Sequence, residues 1–273
     1  MAQSTADFLD RIMSRKKRQV AQRQRAVPLA AVREKAVGRR DYRPFFKTLS
    51  TPGPSGVNIL AEIKRASPSK GPLRPGLDAA VLAGQYERGG AAALSVLTET
   101  DFFMGADQDL TAARQATDLP VLRKDFIFSE YQVYESAAMG ADAILLIVRL
   151  LSPTRLLDLL GCCRRLGMDA LVEVFGPDDM RIAAAAGAGL IGINNRDLAS
   201  FHTDTGHAGR LAAGLGPGQI AVAASGIGGR RDILAGLDAG ITNFLVGEHL
   251  VRAPDPVAAL RGLMGLGDGA KGR

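Results

Sequence analysis

From Asn58 onward, short apolar runs rich in branched residues alternate with longer amphipathic stretches. The short runs are ILAEIK (59–64), ALSVL (93–97), PVLRK (120–124), AILLIV (143–148), ALVEV (170–174), LIGIN (190–194), IAVAAS (220–225) and NFLVG (243–247). Stretches between them, such as SEYQVYESAAMG, SPTRLLDLLGCCRRLG and GPDDMRIAAAAGAG, follow a helical period. They open near Pro or Asp and close near Gly, the usual punctuation of a helix. Runs this continuously apolar predict strands covered on both faces, hence parallel ones. Eight strand-helix units in roughly two hundred residues predict an α/β protein built as a single (β/α)8 TIM barrel. A doubly wound open sheet would be expected to carry Gly-x-Gly-x-x-Gly after its first strand. Here the glycines of SGIGGRR (225–231) have another spacing and follow the seventh run. Residues 1–57 read as an N-terminal helical extension packed on the barrel, joined through STPGPSG, with the catalytic barrel domain spanning 58–273.

The polar residues that interrupt the runs fall mainly at their ends. In such a barrel the strand ends form the catalytic face. Glu62 and Lys64 close the first run and, two residues apart, point the same way. Lys124 ends the third run, Glu173 lies near the end of the fifth, Asn194 and Arg196 follow the sixth, and Ser225 ends the seventh. One Glu-Lys pair could be structural. Two lysines and two glutamates at one mouth instead suit acid and base roles, because such groups push each other's pKa values apart. After the seventh and eighth runs, SGIGGRRD and LVGEHL offer glycine backbone near helix starts, where barrels often hold a phosphate.

Composition changes this picture little. Hydrophobic residues make up 47% of the 273 and charged residues 23%, as in ordinary globular proteins. No apolar run is long enough to predict a membrane span. The adjacent Cys162 and Cys163 point in different directions on a helix, which predicts free thiols in a reducing cytoplasm. His202, His207 and His249 have no ligand spacing with them, so no zinc site is expected. The net charge of +6 gathers partly in RIMSRKKRQVAQRQR (11–25), read as a solvated basic helix face. No secretory segment precedes it, and Asp7 and Asp10 argue against a mitochondrial leader.

The stretches AEIKRASPSKG, VLTETDFFMG, PVLRKDFI, ADAILLIV, LVEV, IGINNRDL, SGI and FLVGE resemble the indole-3-glycerol phosphate synthase family, and FLDRIMSRKKRQV resembles its N-terminal helix. The resemblance implies a carboxy-lyase of tryptophan biosynthesis. Such an enzyme converts 1-(2-carboxyphenylamino)-1-deoxyribulose 5-phosphate to indole-3-glycerol phosphate with loss of CO2 and water. It implies no metal or organic cofactor and a phosphorylated small-molecule substrate. It implies no nucleic-acid or membrane partner, and leaves contact with other tryptophan-pathway enzymes open. Lys124 matches the general acid at the substrate ketone, Glu173 its acid/base partner, and Lys64 a lysine on the substrate carboxylate, with Glu62 tuning that lysine. Asn194, Arg196 and Ser225 match residues that hold substrate hydroxyl and carboxylate groups. Ser67, Gly226 and Gly247, with Glu248 beside them, match the phosphate and substrate environment. Phe103 and Phe126 match apolar walls for the aromatic ring.

Three positions depart from the family pattern: Ala224 stands where a glutamate is common, Phe175 where a histidine is, and His249 where a serine is. Two other readings compete. One is another phosphate-binding barrel, an isomerase or a Schiff-base aldolase using Lys124. The other is a non-catalytic scaffold or RNA-binding protein using the basic helix.

Overall fold

The computed structural model describes residues 5–196 and 203–267, so His202 lies outside the described residues. Three helices come first: α1 (Thr5–Ala26), α2 (Leu29–Gly38) and α3 (Phe45–Leu49). The barrel then begins with β1 (Asn58–Ile63), followed by a small ribbon of β2 (Ala66–Ser67) and β3 (Gly71–Pro72). Next come α4 (Ala79–Gly89), β4 (Ala93–Leu97), α5 (Asp107–Ala116), β5 (Val121–Lys124), α6 (Glu130–Met139) and β6 (Ala143–Ile147). The chain continues with α7 (Pro153–Leu166), β7 (Asp169–Val174), α8 (Pro177–Ala185), β8 (Leu190–Asn194) and α9 (His207–Ala212). It closes with β9 (Ile220–Ala224), α10 (Arg230–Asp238), β10 (Asn243–Val246), α11 (Glu248–Arg252) and α12 (Pro256–Met264). Eight parallel strands form a closed barrel in the order β1-β10-β9-β8-β7-β6-β5-β4. Each predicted run supplies one of them. The β2–β3 ribbon was not foreseen, because two-residue strands carry no period.

Local chemistry sets the helix ends. Asp78 accepts from the backbone N–H groups of Ala80 and Val81 at 2.9 and 3.0 Å, starting α4. Pro153, Pro177 and Pro256 open α7, α8 and α12, where a missing N–H costs nothing. Gly140 ends α6 at φ 99°; a side chain there would be both strained and within 2.6 Å of Arg114 Cδ.

Alternate residues along each strand separate two cores. One apolar layer lies between strands and helices, with Ile59, Leu94, Val96, Val172 and Ile191 in it. The other fills the barrel, with Leu60, Leu122, Leu171, Leu190 and Val222, and is joined by Phe45 and Leu49 from α3. Each fully buried leucine contributes roughly 1.5–3 kcal/mol. Asp142, wholly buried just before β6, accepts from Arg39 at 2.6 Å and from Arg114 at 2.6 Å, and from the backbone N–H of Arg43 at 2.9 Å. These bonds hold the segment between α2 and α3 across the N-terminal face of the barrel.

The basic helix α1 departs from the solvated face that its composition predicts. Lys16 is only 4% exposed and pairs with Asp125 at 2.6 Å, beside the end of β5. Arg23 bridges Asp107 at 2.7 Å and Glu135 at 3.0 Å. Lys17, Arg18 and Arg25 do remain exposed. Acidic groups on the barrel rim, Asp125, Asp107 and Glu135, complement one stripe of α1, a match that charge counting along the chain does not reveal. Cys162 and Cys163 are unbridged and buried, and burial pushes both thiols up. No helix among the described residues is long and apolar enough to cross a membrane.

Candidate active site

A cavity of about 780 Å³ opens where the barrel strands end, within the range of small-molecule sites. Every residue singled out from the sequence as a site candidate lines it: Glu62, Lys64, Ser67, Phe103, Lys124, Phe126, Glu173, Asn194, Arg196, Ser225, Gly226, Gly247 and Glu248. They converge because each lies near the end of a barrel strand or in the segment that follows it, so barrel closure brings distant segments to one mouth.

Glu62 is the hub. It is 2% exposed, and its two carboxylate oxygens accept from different lysines: Oε1 from Lys64 Nζ at 2.6 Å and Oε2 from Lys124 Nζ at 2.7 Å. Burial alone would raise its pKa, but Lys124 and Lys64 reverse that and hold it down at about 2. For Lys124, burial pulls the pKa down. The charges of Glu62 and Glu173 and the hydrogen bond to Glu62 outweigh it and leave the pKa raised. Glu173 behaves oppositely: burial raises its pKa, and Lys124 and a hydrogen bond from Asn194 offset that only in part. The site therefore holds an ammonium that keeps its proton beside a carboxylate biased toward accepting one.

Gly247 makes this packing feasible. A Cβ there would lie 2.2 Å from Glu62 Oε1 and 2.8 Å from Lys64 Nζ. The glycine after β10, expected near phosphate, thus also leaves the volume that the Glu62–Lys64 pair occupies. Arg196 reaches across the mouth and donates from Nη1 to Ser69 Oγ at 2.7 Å, closing one wall. Phe103 and Phe126 face each other with ring centroids 6.4 Å apart. Ser67 Oγ is buried on the wall of the cavity, without a hydrogen-bond partner among the described residues. Such a group costs about 1–3 kcal/mol unless a ligand or water satisfies it.

The glycine-rich turn after β9 is less open than its sequence suggests. Asp232 accepts from the N–H groups of Gly228 and Gly229 at 2.8 and 3.1 Å, so these two amides are occupied in capping α10. Gly226 and Ile227, and Gly247 to His249, line the cavity. Ser225 takes the left-handed φ of 67°, which turns the chain sharply at the end of β9.

Several lining residues escaped the sequence reading. Leu9 and Ile12 of α1 roof the cavity, and Ser69, Lys70, Asp125 and Arg252 join its rim. The sequence shows α1 as a basic helix, and neither charge nor periodicity says which surface a helix face covers. Of the three departures, Ala224 is buried among apolar barrel residues. Phe175 lies beneath the Arg149 guanidinium, 4.6 Å from ring centroid to Cζ, and His249 lines the cavity. No group of three or more His, Cys, Asp and Glu side chains among the described residues is arranged as metal ligands would be.

Solved barrels share the architecture at low identity. A 3-hexulose-6-phosphate synthase aligns at TM-score 0.60 and 19% identity, covering 77% of this chain and 99% of its own. An N-acetylmannosamine-6-phosphate 2-epimerase from Clostridium perfringens aligns at 0.58 and 14%, covering 79% and 94%. These likenesses concern the fold alone. Sequence relatives are far nearer. The indole-3-glycerol phosphate synthase of Syntrophobacter fumaroxidans is 52% identical over 260 residues, covering 95% of this chain and 98% of the relative. That of Desulfosudis oleivorans is 53% identical over 260 residues, covering 95% and 99%. The family model for indole-3-glycerol phosphate synthase matches residues 9–263, which spans both the roofing helix and every strand of the barrel. The chain belongs to the indole-3-glycerol phosphate synthase family.

Proposed function

We propose that this protein closes the indole ring of indole-3-glycerol phosphate from 1-(2-carboxyphenylamino)-1-deoxyribulose 5-phosphate, as a carboxy-lyase of tryptophan biosynthesis. The observation that carries the residue assignment is the Lys124–Glu62–Lys64 bridge at the bottom of the cavity.

Lys124, kept protonated by two carboxylates, donates to the ketone oxygen of the substrate as the aryl carbon attacks the carbonyl carbon. A new carbon–carbon bond forms and the oxygen becomes a hydroxyl. Release of CO2 from the same aryl carbon returns its bonding pair to the ring. Loss of the hydroxyl as water, with removal of a proton, completes the indole. Glu173, with its raised pKa, exchanges protons with the ring hydroxyl and amine. Lys64 contacts the substrate carboxylate and assists dehydration, and Glu62 holds both ammonium groups in place. Asn194, Arg196 and Ser225 hold the hydroxyl and carboxylate groups, and Phe103 and Phe126 flank the aromatic ring. Ser67, Gly226, Gly247 and Glu248 surround the phosphate; the unsatisfied Ser67 hydroxyl supports this end of the reading. Five cations, Lys64, Lys70, Lys124, Arg196 and Arg252, line the cavity with four carboxylates, Glu62, Asp125, Glu173 and Glu248, an excess of positive charge that suits an anionic substrate.

The reaction belongs in a reducing cytoplasm, which the two unbridged buried thiols support. The barrel from residue 58 is the catalytic unit, and the helices before it roof and plug it. A Schiff-base role for Lys124 is disfavoured by its raised pKa, since only the neutral amine attacks a carbonyl.

Fluorescence of the indole product tests the reading. Lys124→Ala is expected to fold and to lose about 10²–10⁴ in turnover, the usual contribution of a general acid. Near-normal turnover by the folded variant would remove Lys124 from this role. Trapping of a carbonyl substrate by borohydride would favour the aldolase instead.

A further inference from the structure

The loop after β4 carries Phe103, and a buried carboxylate of the same loop has no part in the chemistry above. Glu99 stands two residues past the end of β4 and is 2% exposed. Its side chain turns back on the backbone that follows it. Oε1 accepts from the N–H of Asp101 at 3.0 Å, and Oε2 accepts from the N–H groups of Phe102 and Phe103 at 2.7 and 3.1 Å. Successive amides converging on one anion make a nest, and such charge-assisted bonds are stronger than neutral ones.

The turn that Glu99 clamps is unfavourable for a chain left to itself. Met104 takes φ 54°, a region that disfavours a residue with a side chain. The next position requires glycine: Gly105 donates to the Glu99 carbonyl oxygen at 2.8 Å, and a Cβ on it would run into the Leu97 carbonyl.

Phe103 is where this clamp meets the cavity. Its N–H goes to Glu99, and its carbonyl oxygen accepts from the N–H of Ala66 in β2 at 3.1 Å. With both backbone polar groups held, only the side-chain torsions of Phe103 stay free. Its ring lines the cavity beside Phe126, with centroids 6.4 Å apart. On the outer side of the turn, Gln19 of α1 donates to Thr100 Oγ1 at 3.2 Å and Arg15 pairs with Asp101 at 3.4 Å. These pairs are solvent-exposed and weak, so the buried carboxylate sets the place of the ring. Burying a carboxylate costs free energy that an exposed turn would not incur. What it supplies is a fixed backbone at the residue of this loop whose ring faces the cavity.

We propose that Glu99 is a positioning residue: its carboxylate gathers the amides of Asp101, Phe102 and Phe103 and so fixes the Phe103 ring as the wall on which the aromatic ring of the substrate packs. This inference rests on the assignment of Phe103 to that wall.

The test uses the full-length enzyme and the carboxyphenylamino-deoxyribulose phosphate in a double-mutant cycle of Glu99→Gln and Phe103→Ala. Glutamine keeps the shape but offers one acceptor oxygen, and its NH2 group opposes a backbone N–H. Expected for Glu99→Gln is a loss of roughly tenfold in kcat/KM, carried mainly by KM. In the Phe103→Ala background the same change is expected to cost less than about twofold, because the ring through which Glu99 acts is gone. Equal losses in the two backgrounds overturn the proposal, since a general loss of barrel order acts alike in both. So does a folded Glu99→Gln with kcat/KM within about twofold of the parent. If Glu99→Gln does not fold, the same cycle is run with Glu99→Asp, which keeps the charge but draws the oxygens back by one methylene; the same outcomes decide. Phe103→Ala with parental kcat/KM removes the ring wall and this inference with it, whereas an impaired Phe103→Ala beside a parental Glu99→Gln removes this inference alone.

Discussion

Replacing Glu62 by glutamine tests whether one carboxylate holds the two lysines together. The change keeps shape and removes charge. Glu62 has its pKa depressed from 4.5 to about 2 by Lys124 and Lys64, against the opposing effect of burial. That depression corresponds to roughly 3 kcal/mol in favour of the ionised form. The figure agrees in scale with the roughly 3–5 kcal/mol expected when one partner of a buried pair is removed. For a chain of this size the loss lowers Tm by about 6–12 °C. The sign of the pH dependence follows from the depressed pKa. The stabilisation is fully present above the unfolded value of 4.5 and is lost as pH falls toward 2. The gap in unfolding free energy between parent and Glu62→Gln is therefore widest from pH 6 to 7. It narrows by about 1 kcal/mol at pH 3.5. Urea unfolding of both proteins at several pH values reads this directly. A gap that stays constant from pH 7 to 3.5, or one below about 1 kcal/mol at pH 7, would refute the reasoning. Turnover should fall as well, because Lys124 loses the charge that opposes its desolvation.

Three further outcomes are expected. Gly247→Ala places a Cβ 2.2 Å from Glu62 Oε1, so the pair must shift; turnover is expected to drop at least about tenfold with about 1–3 kcal/mol of destabilisation, both read by kinetics and urea unfolding. Lys16→Met removes the 2.6 Å partner of Asp125 Oδ1, leaving that carboxylate with Arg123 at 3.1 Å and the Thr98 hydroxyl at 2.9 Å; a loss of roughly 1–3 kcal/mol is expected in the same unfolding assay. Met104 sits at φ 54° with 43% of its surface exposed, a conformation that asparagine tolerates better; Met104→Asn is expected to raise stability by about 1 kcal/mol with kcat unchanged.

The sequence by itself determined the strands, their parallel sense and the ends at which Glu62, Lys64, Lys124, Glu173, Asn194 and Arg196 emerge. These features are local: a branched apolar run makes a strand, and a polar residue at its end has to lie at a barrel mouth. Tertiary structure alone decided the partners. That Glu62 divides its oxygens between a lysine on its own strand and one two strands away depends on register and on the side chain that Gly247 lacks. The same holds for α1, whose charges predicted a solvated face and whose Lys16 is instead buried against Asp125. Asp232 likewise takes two glycine amides that spacing alone had left open to a ligand. Period and composition report what one segment prefers; pKa values, unpaired hydroxyls and occupied amides arise only when distant segments meet at a few ångströms.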